Sequence, residues 1–366
     1  MEVEGNHFAD SQVLSYLIRR EFDWESLANI VDQSPELVKL CRISGHSTML
    51  HEVCSVGSAP TSIVMKILKS WEGATMVKNK FGDTPLHSVA RVAQRSSSKV
   101  HALLETNEQA LFVKNNTGHF PLSTAIISGA FLSAIELFVE TDPSILLQKD
   151  GNGQTPSELL VSSFMKNIPG FFALTSFLNG GEMRNIVRTF WNKMEYLLLR
   201  SYEQIHDLDF NSCDGSMICH ALLAQNIKGD NLAHLLSLAL SQNTAHCTRT
   251  LDKDGNSPLH VLAKRLEFKG ANVLLAKFPY TSTLKDARSR IPLHIALESV
   301  RAKTRPSKKL SSQLQNFLVS SEVLDIEEKK DDREHMLPFM IAAGDGHLDL
   351  TFVMLQKSPL SIHHYA

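Results

Sequence analysis

A short motif recurs along this chain at nearly regular intervals, and it restricts the possible folds more than any other feature. The motif is a polar turn followed by a small or hydroxyl residue, then Pro, Leu and His at the start of an apolar helix. Its best copies are Thr84-Pro85-Leu86-His87, Ser257-Pro258-Leu259-His260 and Ile291-Pro292-Leu293-His294. Such self-similarity is typical of arrays in which one supersecondary unit is stacked repeatedly.

Weaker copies of the motif occupy the intervals between the best ones. Measured at the His position, most steps are 34 to 40 residues, and two longer steps of 62 and 46 residues indicate insertions. The weaker copies are Thr48-Met49-Leu50-His51, Phe120-Pro121-Leu122-Ser123, Thr155-Pro156-Ser157-Glu158, Ser216-Met217-Ile218-Cys219-His220 and Leu337-Pro338-Phe339-Met340. We expect distorted units where Pro, the turn Gly or His is lost, which occurs at Met49, Ile218, Ser289, Ser123, Glu158 and Met340.

Each residue of the motif has a local role at the start of a helix. Pro85 lacks only an N–H that has no partner inside the helix, and its fixed φ suits the first helical turn. Thr84 can cap the helix, and Gly82 permits a positive φ in the preceding turn. We predict that His87 and its equivalents hydrogen-bond the backbone of the neighbouring turn and so join successive units.

A second helix with an apolar stripe follows each of these turns. Each stripe is too short to form a stable helix alone, so stacking must supply the burial. The stripes lie at residues 63–68, 100–104, 134–139, 232–240, 273–275, 314–319 and 350–355.

Together with Asp-x-x-Gly turns at 150–153 and 252–255, the motif resembles the ankyrin repeat family over most of residues 44–358. The resemblance implies an all-α solenoid of helix-turn-helix units with turns projecting from one edge. It also implies a protein-binding scaffold or adaptor that uses its concave face and turn tips. We therefore do not expect an enzyme.

The spacing predicts six segments along the chain. They are an N-terminal helical cap at 1–43, a first repeat block at 44–160, a helical insertion at 161–210, a second repeat block at 211–298, a charged insertion loop at 299–333 and a C-terminal repeat or cap at 334–366.

The two insertions each allow a structural and a functional interpretation. In 161–210, aromatic residues lie beside basic ones on a predicted helix. Either they form an aromatic and basic binding face, or the aromatic side chains pack on the array while the basic ones stay in solvent; we favour packing. These residues are Phe190, Trp191, Tyr196, Arg184, Arg188 and Lys193. The segment 299–333 is either a solvated loop, which we favour, or a localisation or partner-binding element.

Composition excludes several classes of partner. With 37 Lys and Arg against 39 Asp and Glu, the net charge of −2 gives no general attraction to nucleic acid or anionic lipid. Apolar stretches fall far short of the roughly 20 residues that a membrane-spanning helix needs. Five cysteines, an odd and scattered set, fit a reducing compartment. With no signal peptide visible, we expect a protein of the cytoplasm, or of the nucleus. We also expect it to be monomeric.

The sequence contains no convincing catalytic or metal-binding pattern. Cysteine and histidine at 213, 219, 220, 246 and 247 are the best zinc candidates, but their spacing does not match paired Cys-x-x-Cys ligands. Nucleophile-elbow, phosphate-loop, zinc-protease and kinase signatures are missing. We therefore expect no catalytic residue, cofactor or metal.

We expect the partner, another protein, to contact turn side chains that packing does not require. The alternative is an enzyme or ligand-binding protein with its site in the 161–210 insertion. The predicted contact residues are Lys78, Lys80, Phe81, Lys114, Asn115, His119, Asp252, Lys253, Asp254, Lys285, Arg288 and Arg290.

Overall fold

The regular secondary structure of this chain is almost entirely helical. A computed structural model describes residues 24–40, 42–43, 46–92, 97–167, 181–208, 215–225, 227–242, 245–301, 314, 316–317 and 338–357. One short antiparallel pair joins β1 (Arg42–Ile43) to β2 (Ser47–Thr48). The all-α class predicted from the sequence is therefore confirmed. The chain divides into two compact units, Met1–Leu208 and Asp209–Ala366.

The first unit consists of successive helical hairpins that pack in two layers. Its helices are α1 (Trp24–Gln33), α2 (Pro35–Leu40), α3 (Met49–Ser55), α4 (Thr61–Ser70), α5 (Pro85–Arg91), α6 (Ser97–Thr106), α7 (Pro121–Ile127), α8 (Leu132–Thr141), α9 (Pro156–Asn167) and α10 (Gly181–His206). The first helices of the hairpins, α3, α5, α7 and α9, pack on one another in chain order. The second helices, α4, α6 and α8, form the other layer, and α1 packs on α4.

The second unit repeats this arrangement. Its helices are α11 (Ile218–Ala224), α12 (Gly229–Gln242), α13 (Pro258–Arg265), α14 (Phe268–Lys277), α15 (Pro292–Arg301), α16 (Pro338–Gly344) and α17 (Leu348–Lys357). Helices α11, α13, α15 and α16 form one layer, while α12 packs on α14 and α16 on α17. Most of segment 299–333 lies outside the described residues, so its two interpretations stay predictions.

Short 3-10 turns follow the second helix of most hairpins and lead into the next projecting turn. They span Glu72–Met76, Glu108–Phe112, Pro143–Leu147, Ala245–Thr248 and Pro279–Thr283, and one more, Gly215–Met217, precedes α11.

Burial between the two layers stabilises helices that are individually too short. In α4 the side chains of Ile63, Val64 and Ile67 are buried, whereas Met65 faces solvent. A helix of about ten residues is marginal in water by itself, so the apolar contacts with neighbouring hairpins supply most of its stability. Within the described ranges, no helix has the length and apolar character needed to cross a lipid bilayer.

The helix of the 161–210 insertion, α10, takes a second-layer position in the first unit. It packs against the 3-10 turn Pro143–Leu147 and against α8 and α9. Phe190 and Trp191 are buried and Arg188 is exposed, as packing requires. Lys193 is only 8% exposed, however, so the expectation that the basic residues stay in solvent is wrong there. The side chain of Arg184 is outside the described part of the chain.

Candidate binding surface of the turns and first helices

An Asn or Asp side chain organises five projecting turns in the described part of the chain. Asn79 Oδ1 accepts hydrogen bonds from the backbone N–H groups of Phe81 and Asp83, at 2.9 and 3.1 Å. Such side-chain acceptance by Asn and Asp stabilises tight turns because it replaces a backbone acceptor. The equivalent residues, which accept from the same two relative positions, are Asn115, Asp150, Asp252 and Asp286.

The glycine of the turn is required both by its φ and by the next turn. Gly82 has a φ of 74°, a left-handed conformation that side chains disfavour. A Cβ atom there would lie 2.6 Å from the backbone nitrogen of Asn116 in the following turn. The Asp-x-x-Gly spacing occurs only twice in the sequence, but an Asn or Asp three residues before the glycine position marks five turns.

The motif histidines join successive units, as predicted. The Nε2 atom of His87 lies 3.0 Å from the backbone oxygen of His119, and His51, His220 and His260 make the same bond to the next turn at 2.9 to 3.0 Å. In His87, Nδ1 accepts the backbone N–H of Thr84, so the proton resides on Nε2, which donates to the carbonyl. Both ring nitrogens of His87 therefore take part in the hydrogen bonds of the framework.

Burial explains why His87 is neutral. Desolvation lowers the pKa of this imidazole to about 4, against the weaker opposing effect of its bond to the His119 carbonyl. Protonation would also place a proton on Nδ1, opposite the Thr84 N–H. The charged form is disfavoured for both reasons.

The expected distortions of the weaker copies occur in some units only. Glu158 replaces His in its unit, yet its carboxylate accepts the Thr155 N–H at 2.9 Å, and the helix start is preserved. The unit that lacks Pro at Ile218 does differ, because the 3-10 turn Gly215–Met217 precedes α11 and no side chain caps it.

Consecutive turns also bond directly to one another. The backbone N–H of Asn116 donates to the Phe81 carbonyl at 3.0 Å. Lys78 Nζ donates to the Lys114 carbonyl, and Lys114 Nζ to the Lys149 carbonyl, both at 2.8 Å. These lysines thus join consecutive turns by hydrogen bonds.

Six of the twelve predicted contact residues belong to this framework. The expectation that packing does not require them is wrong, because their side chains cap a turn, bond to the next one or lie within 3.3 Å of a buried carboxylate. They are Lys78, Lys114, Asn115, His119, Asp252 and Arg290.

The other six predicted residues are exposed at the turn tips. Among the described residues, none of their side chains takes part in a hydrogen bond or an ion pair. Phe81 is 59% exposed, and Lys80 Nζ lies 5.0 Å from the centroid of its ring. The six, which we call the tip residues, are Lys80, Phe81, Lys253, Asp254, Lys285 and Arg288.

A groove runs between turn tips and first helices in each unit. In the first unit it has a volume of about 310 Å³ and is lined by Glu52, Ser55, Phe81, Ser88 and Arg91, among others. Arg91 pairs with buried Asp83 at 2.5 Å, and the repeat motif did not predict this pair.

The groove of the second unit is larger and more highly charged. Its volume is about 710 Å³, and its charged lining residues are Asp254, Lys264, Asp286, Arg288, Arg290 and Glu298. Arg290 bridges Asp286 and Glu298, at 2.9 and 2.7 Å. This groove therefore offers alternating charges to a ligand, whereas the first unit offers an exposed aromatic ring.

The zinc candidates do not assemble into a site in the described part of the chain. Cys219 and Cys247 are buried with their Sγ atoms 3.6 Å apart, and His220 is bonded to the Thr250 carbonyl. No group of three potential metal ligands occurs among the described residues, and Cys213 lies outside them.

None of the family models that were searched matches this chain, and no curated protein matches it significantly.

Proposed function

We propose that this chain is an ankyrin-type repeat solenoid and that it acts as a scaffold or adaptor, binding another protein on the face formed by turn tips and first helices. The observation that carries this proposal is the division of the turn side chains. Half of the predicted contact residues serve the framework, and the tip residues are exposed beside the grooves without any role in packing.

The repeating unit supports the ankyrin assignment. An ankyrin unit of about 33 residues contains a β-turn and two helices, and its helix begins with Thr-Pro-Leu-His. The hairpins here have that order, with a turn, a short first helix and a second helix of about ten residues. The His bonds from one turn to the next give the stack its continuity.

The chemistry of the surface favours a protein partner. Protein interfaces are enriched in aromatic and Arg side chains, and a few such residues supply most of the binding energy. Phe81 presents a large apolar surface beside the cationic Lys80, and Arg288 borders the charged groove. A partner with an apolar anchor and carboxylates nearby would complement Phe81 and Lys80.

Capture of partners from the source cell tests the proposal. We expect a variant with Lys80→Glu, Lys253→Glu and Arg288→Glu to lose partners that the native chain retains, and Phe81→Ala to weaken the same partners at least tenfold. The matched control is Lys69→Glu, an exposed charge reversal on the second helix α4. Retention of every partner by the triple variant would exclude this face.

We further propose a monomeric protein of the cytoplasm or nucleus. Cys54, Cys219 and Cys247 are present as thiols, which suits a reducing compartment. Light scattering after size exclusion measures the mass in solution, and a fluorescent fusion locates the protein; a stable dimer or a secreted product would contradict this proposal.

A further inference from the structure

An apolar cavity of about 510 Å³ lies in the first unit, beside the helix of the 161–210 insertion. Its walls come from α7, α9 and α10 and include Ile126, Leu160, Phe164 and Phe190. Ile127 and Ile186 also line it, yet they remain 44% and 46% exposed, so the cavity is open to solvent. Pockets for small ligands typically have volumes of about 300–1,000 Å³ and mainly apolar walls.

Lys193 is the one charged residue among the described residues that line this cavity. Its side chain is buried, and its Nζ lies 3.4 Å from the Gly129 carbonyl, which is long for a hydrogen bond. No carboxylate pairs with it in the described part of the chain. Burial desolvates the ammonium group and so lowers the pKa of Lys193.

A second lysine in an equivalent position shows what a purely structural role looks like. Lys99 of α6 and Lys193 of α10 both lie on second-layer helices, and both reach the loop after the first helix of the preceding hairpin. Lys99 Nζ lies 2.5 Å from the Val56 carbonyl and 3.5 Å from that of Gly57, and Lys99 lines neither this cavity nor the two grooves described above. Lys193 has one long bond, although an ammonium group can donate three.

A ligand that brings one negative charge and an apolar body would suit this combination. The anion would supply the charged partner that the buried ammonium lacks among the described residues, and charge-assisted hydrogen bonds of this kind are strong. The apolar body would contact Phe164, Phe190 and the isoleucines. One ammonium with no second cation in the described lining matches a monoanion better than a phosphate group.

We propose that this cavity binds a small amphiphilic carboxylic acid, with the carboxylate on Lys193 Nζ and the apolar tail between α7, α9 and α10. The site is separate from the tip residues, so it neither requires nor excludes the scaffold function. It gives a specific form to the ligand-binding alternative for residues 161–210.

Calorimetry with the full chain tests the site, using decanoate and decan-1-ol as probes with the same tail. We expect decanoate to bind with 1:1 stoichiometry and at least tenfold more tightly than the alcohol. Lys193→Met should reduce decanoate affinity at least tenfold and leave the alcohol unchanged. Lys99→Met is the matched control and should leave decanoate binding unchanged.

Ile186→Asp keeps the test decisive if Lys193→Met fails to fold, because Ile186 is exposed and its replacement should weaken both probes. Equal affinity of the native chain for the two probes, or no binding of decanoate, would overturn the proposal. Full decanoate affinity in folded Lys193→Met or in Ile186→Asp would overturn it as well.

Discussion

The turns at 79–84 and 286–291 have the same backbone hydrogen bonds although their sequences differ at two of the motif positions. In one, the Asn79 N–H donates to the Asp83 carbonyl at 3.0 Å; in the other, the Asp286 N–H donates to the Arg290 carbonyl at 2.9 Å. Gly82 in the first turn corresponds to Ser289 in the second, which also has a positive φ, of 58°. The acceptor and the backbone hydrogen bonds are therefore kept where serine takes the glycine position, although glycine at that position would lower the strain of the positive φ.

The 286–291 turn lacks the glycine and the hydroxyl cap of the motif, and it contains an ion pair. Ile291 replaces the hydroxyl cap, and Asp286 accepts both backbone N–H groups and the Arg290 side chain. Burial acts to raise the pKa of Asp286, but these hydrogen bonds and the Arg290 charge hold it below its usual range. The carboxylate thus stabilises the fold above its unfolded pKa, and that contribution is lost as pH falls through the folded pKa.

Removing the acceptor from each turn should have the largest effect. We expect Asp286→Ala to reduce the free energy of unfolding by about 4 kcal/mol, because two backbone N–H groups and Arg290 lose a buried partner. Asn79→Ala, which breaks no ion pair, should cost about 2 kcal/mol. Urea unfolding followed by circular dichroism measures both.

The control for this pair is Asp286→Asn, which keeps the acceptor oxygen but not the charge. Its free energy of unfolding should lie between that of Asp286→Ala and that of the native chain. Equal stability of Asp286→Ala and the native protein would contradict the role assigned to the acceptor.

If consecutive turns are in contact, replacing two of the turn glycines by alanine should cost different amounts of stability. Gly82→Ala combines a positive φ with contact against the backbone of Asn116, so we expect a loss of about 3 kcal/mol. Gly153 has a similar φ of 75°, but nothing described lies within 4 Å of a Cβ there, and Gly153→Ala should cost about 1 kcal/mol. All three tryptophans belong to the first unit, so their fluorescence reports its unfolding. Similar losses for the two variants would show that the next turn is not close enough to matter.

Acidification should lower the free energy of unfolding of the first unit through His87. Its folded pKa of about 4 is below the ordinary 6.5, so the unfolded state binds more protons between these values. This contribution to stability is complete above pH 6.5 and is lost as pH falls toward 4, by about 2 kcal/mol between pH 7 and pH 5. Tryptophan fluorescence in urea at both pH values, for the native chain and His87→Asn, measures it. An unchanged pH dependence in His87→Asn would contradict this assignment.

The smallest effect should be a gain of stability in the 286–291 turn, where Ser289 stands at the glycine position. Ser289→Gly relieves a positive φ at the expense of greater backbone freedom in the unfolded chain, so we expect about 0.5 kcal/mol of stabilisation. Ser299→Gly, the same change inside helix α15, should destabilise by about 0.5–1 kcal/mol. Circular dichroism in urea compares the two, and a loss in both would indicate that Ser289 is not strained.

Local rules made much of the fold predictable. Pro85 at a helix start, the positive φ of Gly82 and the cap formed by Thr84 and His87 involve residues within about five positions of each other. The periodic apolar stripes in turn predicted the second helices. Such features depend on backbone geometry and on hydrogen bonds that the nearby sequence supplies.

The tertiary structure decided which polar side chains serve the framework and which are available for binding. Lys78 bonds to a carbonyl 36 residues away, and Lys193 to one 64 residues away, so neither role is visible in local sequence. The cavity beside Lys193 likewise depends on how α10 is placed relative to α7 and α9. The sequence by itself determined the repeating turn and its helices, because those interactions are local. Only packing between hairpins decided the burial of each charge and the exposure of each tip residue, since both depend on segments distant along the chain.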